Sequence, residues 1–501
     1  AKRSRLLLQL LVESVTLSAT GGALGLLLAA WGARVLVAMV KGPFSPQLDW
    51  RVLGFTAAVS ILTGIVFGMA PALRGLRFDL TPALKSAESG VGSRARRRRF
   101  SLGNLLVTTQ VALAVVVLAT AGLLVRTLTN LKTLDPGFNT NNLLLFGLDP
   151  RHAGYKDAQV DRLYGQLQEK LAALPGVKSV GYSWVPLLGG GLMSTSFHRP
   201  GTPIDSKDQV DADQLEVGPN FFATLGIPIQ MGREFTAADF TAAASRSYEK
   251  PGSPPWPAVV NQTLAQSYFP NQNPLGVVMG DSPAEGSFPA FPGFQIIGVA
   301  GDAKYNSLRR DIKPTLYTPA SGGDAFFEVR TAINPASLIP AVQRTVSGID
   351  DNLALFQIKT QQERIDMQLT EDRLVAQLSS FFGLLALVLA CMGLYGLLAY
   401  EVSRRTREIG IRMAIGAQAG NVIRLVMGEA VLVAALGAVA GISLSLGVCR
   451  LLTTLLYGVK PGDPITLVGV TLLLALVAAA ACLFPARRAT RVDPLVALRY
   501  E

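Results

Sequence analysis

Cysteine is scarce: the chain of 501 residues holds three, Cys391, Cys449 and Cys482, all within or at the edge of apolar runs. The stretch from Thr127 to about Asp372 holds none, which excludes a disulfide framework or a thiol-ligated zinc there. Histidine is as rare, and His152 and His198 stand alone, so neither forms half of a metal-binding pair. No G-x-x-x-x-G-K-S/T segment occurs, which excludes ATP binding by a P-loop. Gly181-Tyr182-Ser183-Trp184-Val185 breaks the nucleophile-elbow pattern at its last position, and the carboxylates of the central region are scattered. These residues predict neither a catalytic constellation nor a cofactor. Charge is also sparse, at 16% of residues where a soluble chain carries about a quarter.

What the chain has is apolar length. Runs near 15–40, 52–73, 104–125, 379–400, 429–448 and 465–484 can each cross ~30 Å of hydrocarbon at ~1.5 Å per residue. About six transmembrane helices are predicted. Arg94 and the run Arg96 to Arg99 precede the third; Arg404, Arg405, Arg407, Arg412 and Arg424 lie between the fourth and fifth; Arg487, Arg488 and Arg491 follow the sixth. Alternating spans put all three clusters on one side, the cytoplasmic side, with both termini. The Arg94–Arg99 run lacks interleaved aromatics and abuts a span, so anionic lipid headgroups account for it better than nucleic acid does. The span centres carry no acidic or basic residue of the kind an ion-coupled transporter uses.

The two ends are versions of one segment. At a constant offset, Glu13 pairs with Glu429, Gly21 with Gly437, Gly25 with Gly441 and Arg34 with Arg450. After a short loop, Pro71-Ala72 pairs with Pro485-Ala486, Arg74 with Arg488 and Asp79 with Asp493. A membrane module has been duplicated. Gly21-x-x-x-Gly25 and Gly437-x-x-x-Gly441 give small faces for close helix packing. Aligned on the repeat, Ala1 falls opposite Ala417 in the middle of the second copy's basic loop, which predicts that the chain is an N-terminally truncated piece of a longer one.

Between the copies the pattern is that of a large α+β domain outside the cytoplasm. Strand, helix and strand are predicted at 142–147, 157–174 and 177–184, and again at 326–330, 336–349 and 353–359. Residues 186–325, rich in Pro and Gly, read as an irregular, insertion-like middle. A helical pattern over 363–380 leads into the fourth span as a stalk.

The strongest local signal is Arg404-Arg405-Thr406-Arg407-Glu408-Ile409-Gly410-Ile411-Arg412-Met413-Ala414-Ile415-Gly416-Ala417, between the fourth and fifth spans. It resembles the hallmark loop of the MacB/FtsX family of ABC-transporter permeases. The outer domain adds Val217-Gly218-Pro219-Asn220-Phe221-Phe222-Ala223-Thr224-Leu225-Gly226-Ile227-Pro228, Gly232-Arg233-Glu234-Phe235 and Pro314-Thr315-Leu316-Tyr317-Thr318-Pro319. The duplicated arrangement is similar to the two-module permeases called ADOP. The resemblance implies four segments: 1–90, the end of a first FtsX-like module; 91–126, a basic segment and span; 127–372, a MacB periplasmic-core-like domain with stalk helices; and 373–501, an FtsX-like permease domain with its coupling loop at about 401–424.

It further implies a permease of the bacterial inner membrane working with a separate cytoplasmic ATPase dimer. Glu408, Ile409, Gly410, Ile411, Arg412 and Gly416 would meet that ATPase. Modules would pair within a longer chain or as a homodimer, for export of, or mechanical work on, a periplasmic cargo. An FtsX-like regulator that activates a periplasmic partner such as a cell-wall hydrolase is the alternative. An orphan sensor without an ATPase is a third.

Overall fold

The computed structural model describes residues 3–40, 50–76, 102–197, 210–244, 254–280, 293–404 and 418–489. The chain divides into two compact units, one of Ala1–Arg126 with Asp372–Glu501 and one of Thr127–Glu371.

Helices α1 (Arg3–Val40) and α2 (Trp50–Leu76) form a hairpin. A Cβ added at Gly22 would come 2.5 Å from Ser60 Oγ, and one at Gly64 would come 3.0 Å from Ser18 Cβ, so the two backbones approach closely where side chains are small. Helix α3 (Leu102–Thr133) follows, with Val111, Ala114, Val115 and Ala119 buried along one side.

The second unit opens with β1 (Leu143–Leu148), α4 (Asp157–Ala172) and β2 (Val177–Ser183). Then come β3 (Met193–Phe197), β4 (Val210–Val217), the single turn α5 (Phe221–Leu225), β5 (Ile229–Gly232) and α6 (Ala237–Ala244). Strand β6 (Trp256–Asn261), α7 (Gln262–Tyr268), β7 (Val278–Met279), β8 (Phe294–Ala300) and β9 (Thr315–Pro319) continue. The unit closes with β10 (Ala325–Thr331), α8 (Ile339–Ser347), β11 (Leu355–Thr360) and α9 (Gln361–Gln368).

Among the described residues all strands join one sheet, ordered β11-β1-β10-β2-β4-β9-β6-β8-β5, with β3 beside β4 and β7 beside β8. The two predicted strand–helix–strand units interleave: β10 lies between β1 and β2, and β1 between β10 and β11, all antiparallel. This is the split βαβ arrangement. Leu144, Phe146, Val180, Tyr182, Phe327 and Val329 turn one face toward Leu163, Leu167 and Leu171 of α4 and Val342 and Val346 of α8. The amphipathic spacing of those helices is what made them readable.

The middle is not irregular. Seven strands, β3 to β9, lie between 186 and 325, with β4 parallel to β9 and β6 parallel to β8 over their own core of Trp256, Val260, Leu264, Ile296 and Leu316. The physical reason is burial on both faces: β9 is buried at all five positions, so no alternation marks it as a strand.

The chain ends in α10 (Thr370–Arg404), α11 (Ala419–Leu451) and α12 (Pro464–Ala489). Their core with α3 combines small and β-branched residues, among them Val111, Val115, Ala390, Ala430, Val433 and Ala478, with Leu387, Leu394, Leu398 and Leu474. Large apolar side chains such as Leu384, Leu436, Val439, Leu472 and Leu476 face outward, as lipid contact requires. Among the described residues five helices are long and apolar enough to cross a membrane. The remaining predicted span, 52–73, falls on α2, whose apolar stretch is described over Trp50–Ile65.

Candidate functional site

The predicted ATPase-contact residues Glu408, Ile409, Gly410, Ile411, Arg412 and Gly416 lie outside the described residues, as do Arg94 to Arg99. The predicted packing glycines are placed, and they divide. A Cβ at Gly437 would come 2.7 Å from Val111 Cβ and 2.9 Å from the Thr108 carbonyl oxygen. At Gly441 it would come 2.7 Å from both Val115 Cβ and the Ala112 carbonyl oxygen. Only glycine lets α11 and α3 approach so closely. Gly21 and Gly25 meet nothing within 4 Å; the α1–α2 contact runs through Gly22 and Gly64 instead.

At one end of this bundle, Arg126 of α3 pairs with Asp463, just before α12. The same carboxylate accepts from the Thr466 backbone N at 2.9 Å and from its Oγ1 at 2.7 Å, so it caps α12 while holding α3. Those Thr466 bonds and Arg126 hold its pKa below the usual carboxylate value.

In the second unit, the structure assembles a polar seat for α9, the helix through which the sheet domain connects to α10. Thr360 and Glu363 cap α9 reciprocally, at 3.1 and 2.8 Å. Gln368 Nε2 donates to the carbonyls of Leu188 (2.8 Å) and Asn306 (3.3 Å). Arg364 donates to Gln357 Oε1 at 3.0 Å and lies over the Phe326 ring, 5.9 Å from its centroid. The glycine-rich loop at 189–191, predicted to be an insertion, packs here: a Cβ at Gly189 would come 2.7 Å from Arg364 Nη1. Gln361 is fully buried, and neither of its amide atoms bonds to protein.

At the base of the seat is Glu328, in the middle of β10 and fully buried. Its register partners are Leu145 and Gly181, which give it no water. Burial pushes its pKa up to about 8, with Ser183 and Arg364 pulling the other way. Ser183 Oγ lies 2.6 Å from Glu328 Oε1 and 3.0 Å from the Val185 carbonyl oxygen. Ser183 Oγ donates to Glu328 Oε1, while the other carboxyl oxygen, Oε2, is buried with no bond to protein. The sequence carried one signal of this group, a single carboxylate inside the apolar run Ala325-Phe326-Phe327-Glu328-Val329.

The segments that carry the family resemblance prove to be folding elements. Phe221 and Phe222 of α5 pack on Tyr317 of β9, and a Cβ added at Gly181 of β2 would come 3.0 Å from Phe221 Cα. Arg233 grips Asp239 at 2.6 and 3.1 Å. Asp302 caps α7 by accepting from Thr263 N (2.9 Å) and Oγ1 (2.7 Å). His152 does have a carboxylate near it, Asp149 Oδ2 at 2.6 Å, three residues back on an exposed turn. No group of three or more His, Cys, Asp or Glu able to hold a metal occurs among the described residues.

Residues 380–494 match the FtsX-like permease C-terminal family. The chain is 28% identical over 301 residues to the macrolide export ATP-binding/permease protein MacB of Azoarcus sp. (strain BH72), covering 56% of this chain and 42% of that protein. It is likewise 28% identical over 298 residues to the MacB of Rhodospirillum rubrum, with the same coverage of each. The chain thus spans less than half the length of these relatives. A solved structure, the periplasmic region of MacB from Actinobacillus actinomycetemcomitans, aligns at TM-score 0.28 and 13% identity over 46% of this chain and 94% of its own. The FtsX-like segment and the MacB relatives make this chain similar to permeases of the MacB/FtsX type, and its described residues combine five helices long and apolar enough to cross a membrane with a separate α+β domain.

Proposed function

We propose that this protein is the permease component of a MacB-like ABC transporter, coupling ATP hydrolysis by a separate cytoplasmic ATPase dimer to export of, or mechanical work on, a cargo outside the cytoplasm. One observation carries the reading: the FtsX-like segment 380–494 encloses the arginine-rich loop joining α10 to α11. In this reading Glu408, Ile409, Gly410, Ile411, Arg412 and Gly416 form the ATPase-facing surface, a mixture of charged and apolar residue types suited to docking. The membrane is the bacterial inner membrane, with the loop and both termini inside and 127–372 outside. Residues 373–501 act as the permease domain and 1–90 as the end of a first module, paired within a longer chain or as a homodimer. Closure of the ATPase pair would move α10 and α3, and α9 would deliver that movement to the sheet domain through its polar seat.

The test is reconstitution of the chain with the ATPase that co-purifies from its native membranes. Glu408→Ala and Arg412→Ala are expected to lower the permease-dependent stimulation of ATP hydrolysis. Stimulation unchanged in both variants sinks the assignment of the loop.

A further inference from the structure

The internal repeat allows one copy of the hairpin to be read against the other. In the second copy, every fourth residue along one face of α11 is covered: Val433 is 2% exposed, Gly437 and Gly441 are buried, Ser445 is 0% and Cys449 1% exposed. The cover is α3, whose Val111 and Val115 and whose Thr108 and Ala112 carbonyls lie against the two glycines. The equivalent face of α1 is open: Leu17 is 67% exposed, and Gly21, Gly25 and Ala29 are exposed.

The hairpin's own closure does not need this face. The first copy closes through Ser18 and Gly22 against Ser60 and Gly64. Their repeat equivalents, Ala434, Ala438, Leu474 and Ala478, belong to the packed core of the second copy. The positions that close the first hairpin are thus core positions in the second copy too, and the glycine pair on the adjacent face is left for a third helix. In the second copy that helix is present.

We infer that the Leu17–Gly21–Gly25–Ala29 face of α1 is a docking surface for a membrane-spanning helix bearing β-branched side chains four residues apart, as Val111 and Val115 are in α3. In lipid the gain comes from van der Waals contact at short backbone separation, which glycine opposite a valine ridge provides. The α3 of this chain is not the occupant, and neither is that of a second copy, because Val111 and Val115 are already 0% and 1% exposed against α11. The partner is a separate helix of the same chemistry. The inference rests on the repeat and the glycine contacts, and stands apart from the ATPase reading.

The probe is a synthetic helix of residues 102–133 carrying Val111→Cys, added to the full chain in lipid nanodiscs after Cys391, Cys449 and Cys482 have been changed to Ala. Single cysteines are placed at Gly21, on the face, and at Ala23, on the opposite side of the helix. Oxidation is expected to cross-link the probe to Gly21→Cys and not to Ala23→Cys, and adding Gly25→Leu to Gly21→Cys is expected to abolish the link. Gly25→Leu is away from the Gly22 and Gly64 contacts, so helix content by circular dichroism is expected to stay unchanged. Equal yields at Gly21→Cys and Ala23→Cys, survival of the link in Gly25→Leu, or no link at Gly21→Cys would each overturn the inference.

Discussion

Glu328 ties the stability of the sheet domain to pH with a sign opposite to that of most carboxylates. In the folded chain its pKa is raised from 4.5 to about 8, by burial first. The folded state therefore holds a proton that the unfolded state has released across this window, so stability is full below about pH 4.5 and falls as pH rises toward 8. At about 1.36 kcal/mol per pKa unit, the loss between pH 5 and pH 8 is on the order of 3 kcal/mol. Glu328→Gln removes the titration and keeps the shape, and its amide oxygen can accept from Ser183 Oγ as Glu328 Oε1 does. The assay is urea unfolding of the full chain in nanodiscs, read by hydrogen exchange of the β10 and β2 amides at several pH values. The difference between Glu328→Gln and the parent is expected to be small at pH 5 and to grow to roughly 3 kcal/mol in favour of the variant by pH 8. A difference that stays constant with pH would falsify the neutral-acid assignment. It would mean that Arg364 and Ser183 hold the carboxylate ionised.

Other expectations follow from the packing. Gly437→Leu and Gly441→Leu force α11 away from α3 and are expected to cost about 1–3 kcal/mol each, read as a lower thermal midpoint in detergent, whereas Gly21→Leu leaves the midpoint of the isolated chain unchanged. Asp463→Ala removes the α12 cap and strands Arg126, so a loss of about 1–2 kcal/mol is expected and Asp463→Asn should recover some of it. Ser183→Ala deprives both the Glu328 acid and the Val185 carbonyl of a partner and is expected to cost about 1–3 kcal/mol at pH 6. Gly189→Ala pushes on Arg364 and is expected to raise hydrogen exchange throughout α9 while sparing β6 and β8.

The legible regions of the molecule were those with a period. Val160, Leu163, Leu167 and Leu171 mark α4 by their spacing, and the apolar runs mark the membrane helices, because one-sided burial or a uniformly apolar surround leaves a pattern in the residues themselves. Strands β6 and β9 were hidden because central strands buried at nearly every position have no alternation to show, and β4 and β8 because proline and glycine at their ends read as loop. The α9 seat was hidden for another reason. Leu188, Gly189, Glu328, Arg364 and Gln368 come from separate stretches of the chain, and only the interleaved sheet brings them together. Gly437 was legible as a packing residue, but its twin Gly21 reads identically. The difference between them is the presence of α3, which no local pattern encodes.

The strand order carries a mechanical consequence. Strand β1 is the first strand after α3, β11 is the last before α9 and α10, and the two are neighbours in the sheet. Leu144, near the start of β1, stands opposite Thr360, the last residue of β11, so the two tethers attach side by side at one end of one antiparallel ladder. A displacement that α3 and α10 share carries the domain along as a rigid load. A displacement that differs between them falls on the Leu144–Thr360 end of that ladder, where the rungs open in succession instead of shearing together. The domain is thus stiff toward common motion and compliant toward differential motion, a filter set by which two strands hold the ropes.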